Sequence, residues 1–393
     1  CEQTETPEEA KHNSKKGPLK REVVRIISPG TLTEDNLLQR KNNNYLAAIS
    51  NFKNSICVAW VDISTGSFKS RQIVNDNTSN QKQLLANFLL RKDFSEILIS
   101  EEMNLDLIVD EWHSLIKKQS PTLFHYQSCL NQIFSHYSII SLDGIGSFSK
   151  GEIIAAGVLL SYLKLTQCGK TPFLSMIKSE TMNEFLEIDY FTQKSLEILK
   201  NLSGKYEGSL ISCLDETKTA SGARLLKQRI IEPFCSINNI KDRHDLVNWI
   251  LENDININKN QISLQNIPDL ERSLSRISLM RGGPKDLLLI SKGLTIIKDI
   301  HENLTSIEQK KSMPKLLKSI LDNLNIDYNI FLDIKKAFKL EATQIVKEGG
   351  FIKDGFNKEL DHLRNLMNNE LNQIMKLQKK YSEQTNINSL KIK

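Results

Sequence analysis

The apolar residues of this chain change their period part-way along. Between Glu22 and about Gln127, short strand-like runs alternate with helical stripes; beyond about residue 130 strands largely vanish and spacings of three and four take over. One uniform layer cannot accommodate that switch. It predicts a small α/β unit with a mixed sheet, followed by a mostly helical unit.

The strand-like runs are VVRII (23–27), ending at Pro29-Gly30, then YLAAIS (45–50), SICVAWVDIS (55–64) and SFKSRQIV (67–74). Asn-rich and Gly-containing turns between the last three predict antiparallel neighbours. SEILIS (95–100) reads as a short buried strand and PTLFHYQ (121–127) as a further strand candidate. Thr33, with Asn36 three residues on, is placed to cap a short helical turn at LLQR (37–40). QKQLLANFLLRK (81–92) carries a stripe at Leu84, Leu85, Phe88 and Leu89, and LDLIVDEWHSLIKK (105–118) reads as another helix. A buried helix is expected from Gly151 to Leu165, ending near Gly169 and Pro172. Its apolar run, 153–165, is too short to span a bilayer and is interrupted by Lys164.

Later stripes fall at Leu270, Leu274 and Ile277, and at Leu287, Ile290, Leu294, Ile297 and Ile300. The longest joins Phe356, Leu360, Leu363, Met367, Leu371, Ile374, Leu377 and Tyr381. It covers roughly 25 residues, or about 38 Å of helix. With Lys and Glu on its other faces, it reads as an arm or coiled coil. Arg272, Arg276 and Arg281 are expected opposite the Leu270–Leu274–Ile277 face as packing and ion-pair positions. Arg224 and Arg229, with Pro233, surround an earlier helix end.

Composition narrows the class. Of 393 residues, 39% are apolar, 25% charged and 7% aromatic, which excludes collagen-like, low-complexity and disulfide-scaffold chains. A net charge of +5 permits a nucleic-acid partner without requiring one. Six cysteines without a C-x-x-C pair argue against structural zinc and for reduced thiols in a cytosol. Cys1 is followed by no charged-then-apolar leader, so no signal peptide is expected. The start without Met, and the alternating SLKIK at the other end, read as cut ends. Residues 1–20 are polar, then basic (Lys11, Lys15, Lys16, Lys20, with Arg21 following), with Gly17-Pro18 as a breaker, and read as a linker.

Candidate chemistry is sparse. Gly169-Lys170-Thr171 resembles the end of a phosphate loop, but Lys164 stands where the first glycine belongs, a helix precedes it and Pro172 follows. It reads as a helix C-cap and turn. Asp62 closes a strand before a Gly turn, as in ribonuclease-H-like nucleases and actin-like phosphate hairpins. Glu96, Glu101 and Glu102 lie near another strand, yet nothing in the spacing forces the convergence that a two-metal site needs. A turn-capping Asp62 is therefore expected. The seven histidines form no H-x-x-x-H or H-E-x-x-H pair, and no catalytic, cofactor or metal residues are assigned. Lys335, Lys336 and Lys339, with Lys376, Lys379 and Lys380, read as solvated helix faces that could meet phosphates; which residues bind DNA is left unassigned.

The order of segments is more specific. CEQTETPEEAK, REVVRIISPGTLTEDNLL, NNYLAAIS and VDISTGSF resemble the bacterial MutS mismatch-recognition proteins. So do LEILKNLSG with GSLISCLDETKTASGARLLKQRIIEP, DLERSLSRISLMRGGPKDL, and GGFIKDGFNKELDHLRNL. The resemblance covers essentially the whole chain, in family order. The basic KHNSKK stretch is longer than family members usually carry at that point. The resemblance implies that 1–20 are the tail of a mismatch-binding domain and linker. It makes 21–175 a connector of ribonuclease-H-like α/β fold without nuclease activity, 176–345 a helical core or lever, and 346–393 the start of a clamp. Its Phe-x-Glu reader would precede Cys1 and its ATPase would follow the clamp. It also implies ATP and Mg in the full-length family with none held by this chain, mismatched double-stranded DNA and a MutL-type repair protein as partners, homodimers, and a cytoplasmic setting. The alternative is a ribonuclease-H-like metal-dependent nuclease or phosphotransferase with a helical appendage, using Asp62 as ligand.

Overall fold

The computed structural model describes residues 1–5, 17–53, 55–74, 81–105, 108, 110–180, 185–308, 313–325, 329–339, 349–387 and 390–391. The basic segment 11–16 and the boundary expected at 345/346 lie outside them.

Strand β1 (Glu2–Gln3) pairs antiparallel with β2 (Arg21–Glu22). The main sheet is built on a meander of β3 (Tyr45–Phe52), β4 (Ser55–Asp62) and β5 (Ser67–Val74). Next come β6 (Phe94–Ser100), β7 (Ile116–Gln119) and β8 (Lys178–Ser179), giving the spatial order β7-β6-β3-β4-β5-β8. β6 runs parallel to β3, β7 to β6 and β8 to β5, so β4 alone opposes the other strands of this sheet.

Alternation along the strands feeds two cores, because successive side chains leave opposite faces of a strand. Ala47, Ile49, Val58, Trp60, Ile97 and Ile99 pack with Leu85, Phe88 and Leu89 of α1 (Gln81–Leu90). Leu46, Ala48, Ala59, Val61 and Leu98 face α2 (Tyr126–Tyr137) and α3 (Lys150–Thr166). Cover on both sides explains why β4 reads as a near-continuous apolar run. Helix α3 starts with a capping box: Glu152 N–H donates to Ser149 Oγ (3.3 Å), and Ser149 N–H to Glu152 Oε2 (2.9 Å). Gly157 lets α2 come close, since a Cβ there would sit 2.4 Å from Cys129 Cα.

Four expectations in this unit fail. Among the described residues, Val23–Ile27 has no strand partner. It crosses the end of α3, where Ile26 N–H donates to the Thr166 carbonyl (2.7 Å), and Val23 is 61% exposed. Segment 105–118 is not one helix. A 3-10 turn (Asp110–Leu115) leads into edge strand β7, because parallel pairing with Ile97–Ser100 outweighs local helical preference. Residues 106, 107 and 109 of that segment lie outside the described ones. Segment 121–127 is a 3-10 turn (Pro121–Phe124) running into α2, with Pro121 at its first position. Likewise, LLQR forms only a turn, in which Leu37 and Leu38 N–H donate to Glu34 (both 3.1 Å) and not to Thr33.

The rest is mostly helical: α4 (Tyr190–Ser195), α5 (Leu210–Leu214), α6 (Ala220–Ile231), α7 (Ile237–Glu252), α8 (Asp254–Gln265), α9 (Leu270–Ser278), α10 (Pro284–Glu308), α11 (Lys315–Leu324), α12 (Asn329–Ala337) and α13 (Lys358–Thr385). A small core joins Trp249 of α7 with Met313, Leu317 and Leu321 around α11. Helix α10 passes beside α9 at Gly293, where a Cβ would stand 2.5 Å from Leu270 Cδ2. Helix α13 has 28 residues, about 42 Å long, and opens on an Asn357 cap. Its stripe is solvent-facing at Leu363, Met367, Ile374 and Tyr381. Leu390–Lys391, described within the strand-like SLKIK, are not in a strand. No helix of the described residues is long and apolar enough to cross a membrane.

Candidate functional site

Charged residues join the sheet unit to the helices. Helix α9 turns Arg272, Ser275 and Arg276 (i, i+3, i+4) toward the sheet unit. Arg272 is 1% exposed and donates to the Gln39 and Asn42 carbonyls (3.1 and 2.7 Å). Ser275 Oγ donates to the Ile63 carbonyl (2.5 Å). Arg276 pairs with Asp286 at the start of α10 and with Asp35 of the sheet unit, both at 2.6 Å. Arg281 reaches Gln167 at the end of α3 and Thr33.

Helix α6 makes a second row. Arg224 grips Asp269 with two N–H groups (2.7 and 3.0 Å), adds Glu271 (2.8 Å), and donates to the Arg40 carbonyl (3.0 Å). Lys227 pairs with Asp93, Lys92 with Glu232 (2.5 Å), and Lys41 with Asp215 (2.7 Å). Lys92 and Glu232 are both buried, and Lys92 lies 4.8 Å from the Trp60 ring centre. Burial alone would raise the Asp269 carboxyl. The Arg224 hydrogen bonds and charge, with the Arg272 charge, overcome it and hold Asp269 below the usual carboxylate range. Burial likewise opposes ionisation of Asp215, yet hydrogen bonds from Lys41 and Thr217 bring it down to about 2. These side chains can hold two units in one register. They offer no nucleophile or acid–base pair.

Arg272 and Arg276 lie opposite Leu274 in packing and ion-pair positions, and theirs is the more buried face of α9. Leu274 is 49% exposed, whereas Arg272 and Arg276 are buried, because their guanidinium groups find carbonyls and carboxylates on the sheet unit. Leu270 and Ile277 flank that face, turned toward Gly293 and Gly282. Arg224 belongs to the same joint. Sequence reading missed the acids Asp35, Asp215, Glu232, Asp269 and Asp286. The available signal was Asp269 one residue before α9, with arginines three and seven positions on.

Asp62 and Glu96 do not converge as metal ligands. Asp62 accepts from Ser64 N–H (2.9 Å), Ser64 Oγ (2.7 Å) and Asn44 N–H (3.2 Å), so it caps its turn. Burial pushes its pKa up despite those bonds. Glu96 accepts from Ser28 Oγ, Gly30 N–H (3.0 Å) and Tyr162 OH (2.6 Å). Glu101 and Glu102 are exposed. Among the described residues, no group of three His, Cys, Asp or Glu side chains is placed to hold a metal. Gly169-Lys170-Thr171 is an exposed turn closed by Gly169 N–H on the Lys164 carbonyl (2.8 Å). Lys376, Lys379 and Lys380 are exposed on α13, while Lys336 pairs with Asp333 and Lys339 with Asp354.

Comparison with known proteins identifies the parts. Family profiles described as MutS domain I, MutS domain II and MutS domain III match residues 1–36, 44–175 and 191–390. The chain belongs to the MutS family. It is 35% identical over its whole length to the DNA mismatch repair protein MutS of Roseobacter denitrificans, covering 44% of that protein. The proteins of the same name from Wolbachia pipientis (35% identical, 49% covered) and Cereibacter sphaeroides (36% identical, 43% covered) are similar over the full chain as well. The chain thus spans a little under half the length of these relatives. In MutS terms, Arg224, Arg272 and Arg276 come from domain III. The carbonyls of Gln39, Arg40 and Asn42 come from the stretch 37–43, between the matches to domains I and II. Asp35, the partner of Arg276, falls in the domain I match, and Lys92 and Asp93, the partners of Glu232 and Lys227, fall in the domain II match, so the joint links matched domains.

Proposed function

We propose that this chain serves DNA mismatch repair as connector and lever, transmitting nucleotide-dependent movement toward a DNA clamp. The observation that carries the reading is the joint: buried Arg272, Arg276 and Arg224 fasten the sheet unit to helices α6, α9 and α10. A helix resists bending because its backbone hydrogen bonds are internal, so α10, about 38 Å long, carries displacement where a loop would absorb it.

In this reading residues 21–175 are the connector, 176–345 the lever and 346–393 the first part of the clamp. A ribonuclease-H-like connector is supported by the strand order β7-β6-β3-β4-β5 with only β4 reversed. The exposed stripe of α13 fits a clamp arm. The whole protein would bind mismatched double-stranded DNA, use ATP with Mg, form homodimers in the cytoplasm, and meet a MutL-type protein through the connector. This chain's own share is mechanical; it reads no base and holds no nucleotide.

The test uses a full-length MutS protein carrying Arg276→Lys, which keeps the charge and loses the two-pronged grip. Mismatch affinity should stay within about twofold, while ATP-triggered release from the mismatch slows roughly tenfold, ~1.4 kcal/mol. Unchanged ATP-triggered release would contradict the lever reading.

A further inference from the structure

Two cations of the joint have guanidinium N–H groups without an acceptor among the described residues: Arg272, which still donates to two carbonyls, and Arg91, which has only a shared carboxylate. Arg91, at the end of α1, is 4% exposed. Its Nη2 lies 3.3 Å from Glu187, a carboxylate already held at 2.6 Å by Arg71. Arg91 Nε and Nη1 are buried and find no acceptor among the described residues. Arg91 also lines a cavity of ≈30 Å³, together with Lys92 and Asp93 of the sheet unit and Arg224, Lys227 and Glu232 on or capping α6, with Tyr45 and Gln228.

Charge and size together select an occupant. Buried guanidinium N–H groups without an acceptor carry a desolvation cost that a ligand accepting from them removes. The lining holds four cations against two acids, and both acids are engaged: Glu232 by Lys92 and Asp93 by Lys227. Lys92, Lys227 and Arg224 have carboxylate partners of their own, which leaves Arg91 as the group in want of negative charge. A volume of ≈30 Å³ matches a single water-sized species and is too small for a phosphate or a carboxylic acid.

We propose that this cavity is a binding site for one monatomic anion, chloride under ordinary conditions, held by Arg91 between the sheet unit and α6. The ion completes the joint. It balances the guanidinium that Glu187 shares with Arg71, and it sits where the two units meet.

The test compares thermal unfolding of the whole chain in sodium chloride and in sodium gluconate at equal ionic strength, gluconate being too large for the cavity. Equal ionic strength keeps the screening of surface pairs the same. Chloride should raise Tm by roughly 2–4 °C over gluconate, as expected for a ligand that binds the folded state alone. In Arg91→Met that difference should vanish. Equal Tm values for the unmodified chain in the two salts would overturn the site, as would a chloride advantage that persists in Arg91→Met. Should Arg91→Met not fold, diffraction from crystals of the unmodified chain grown in bromide decides. An anomalous peak beside Arg91 supports the site, and density without one identifies water and overturns it.

Discussion

At Arg224 the chain depends on a buried cation whose partners are all in place. Its two bonds to Asp269, its pair with Glu271 and its bond to the Arg40 carbonyl join α6, α9 and the 33–44 segment of the sheet unit. Removing one member of such a buried set strands the rest, at a cost of about 3–5 kcal/mol. Arg224→Ala should therefore lower the urea unfolding free energy by about that much. Lys336→Ala, which breaks an exposed pair with Asp333, should change it by less than about 1 kcal/mol. Similar losses for both would mean that the joint is not buried in solution. Acid probes the joint from the other side. Asp215 titrates at about 2 when folded, below the roughly 3.9 of an unfolded chain. Its contribution is thus complete above about pH 4 and is lost as pH falls through 2. Asp215→Asn should flatten the fall in stability between those values, and an unchanged acid profile would deny the Lys41 pair a role.

Among the elements, α10 and α13 have similar lengths and different surroundings. α10 packs on α9, α11 and α12, whereas the stripe of α13 faces solvent at Leu363, Met367, Ile374 and Tyr381. Propensity alone holds a helix weakly, so its apolar face must be covered to protect its amides. In dilute monomer, amides of 360–381 should exchange fastest among the helices, well ahead of those at 284–300. Equal protection would refute this, and protection that rises with concentration would reveal self-association through the stripe. Such long elements were legible in sequence because their spacing repeats many times: α10 and α13 lie on the predicted stripes, as the meander β3–β4–β5 lies on its alternating runs. Short elements were not. Strand β7 exists because Ile97–Ser100 offers an edge, which nothing in 105–118 reveals. The joint was half legible for the same reason. Arg272 and Arg276 stood out, but carbonyls more than 200 residues away decide that arginine, not Leu274, faces inward.

The whole molecule comprises two units, each with its own core, fastened by the charged joint and by Leu279, which follows α9 and is buried in the sheet unit's core. The segment 21–175, which contains most of both sheet cores, should by itself unfold cooperatively in urea, and a disordered-chain spectrum without a transition would place the boundary elsewhere. On the proposed connector and lever reading, the full 393-residue chain should bind matched and mismatched duplexes equally and weakly through lysines on phosphates, with binding largely gone by about 200 mM salt. A tenfold mismatch preference, ~1.4 kcal/mol, would sink that view. The central claim, that the arginine joint makes one mechanical body of sheet and helices, is tested most directly by hydrogen exchange across a urea series in the intact chain and in Arg276→Ala. In the intact chain, the amides of 45–62 and 284–300 should become exposed in one event, at one urea concentration. In Arg276→Ala the two sets should separate, the helices opening first. Separate opening in the intact chain, or a single shared event that survives Arg276→Ala, would contradict the account.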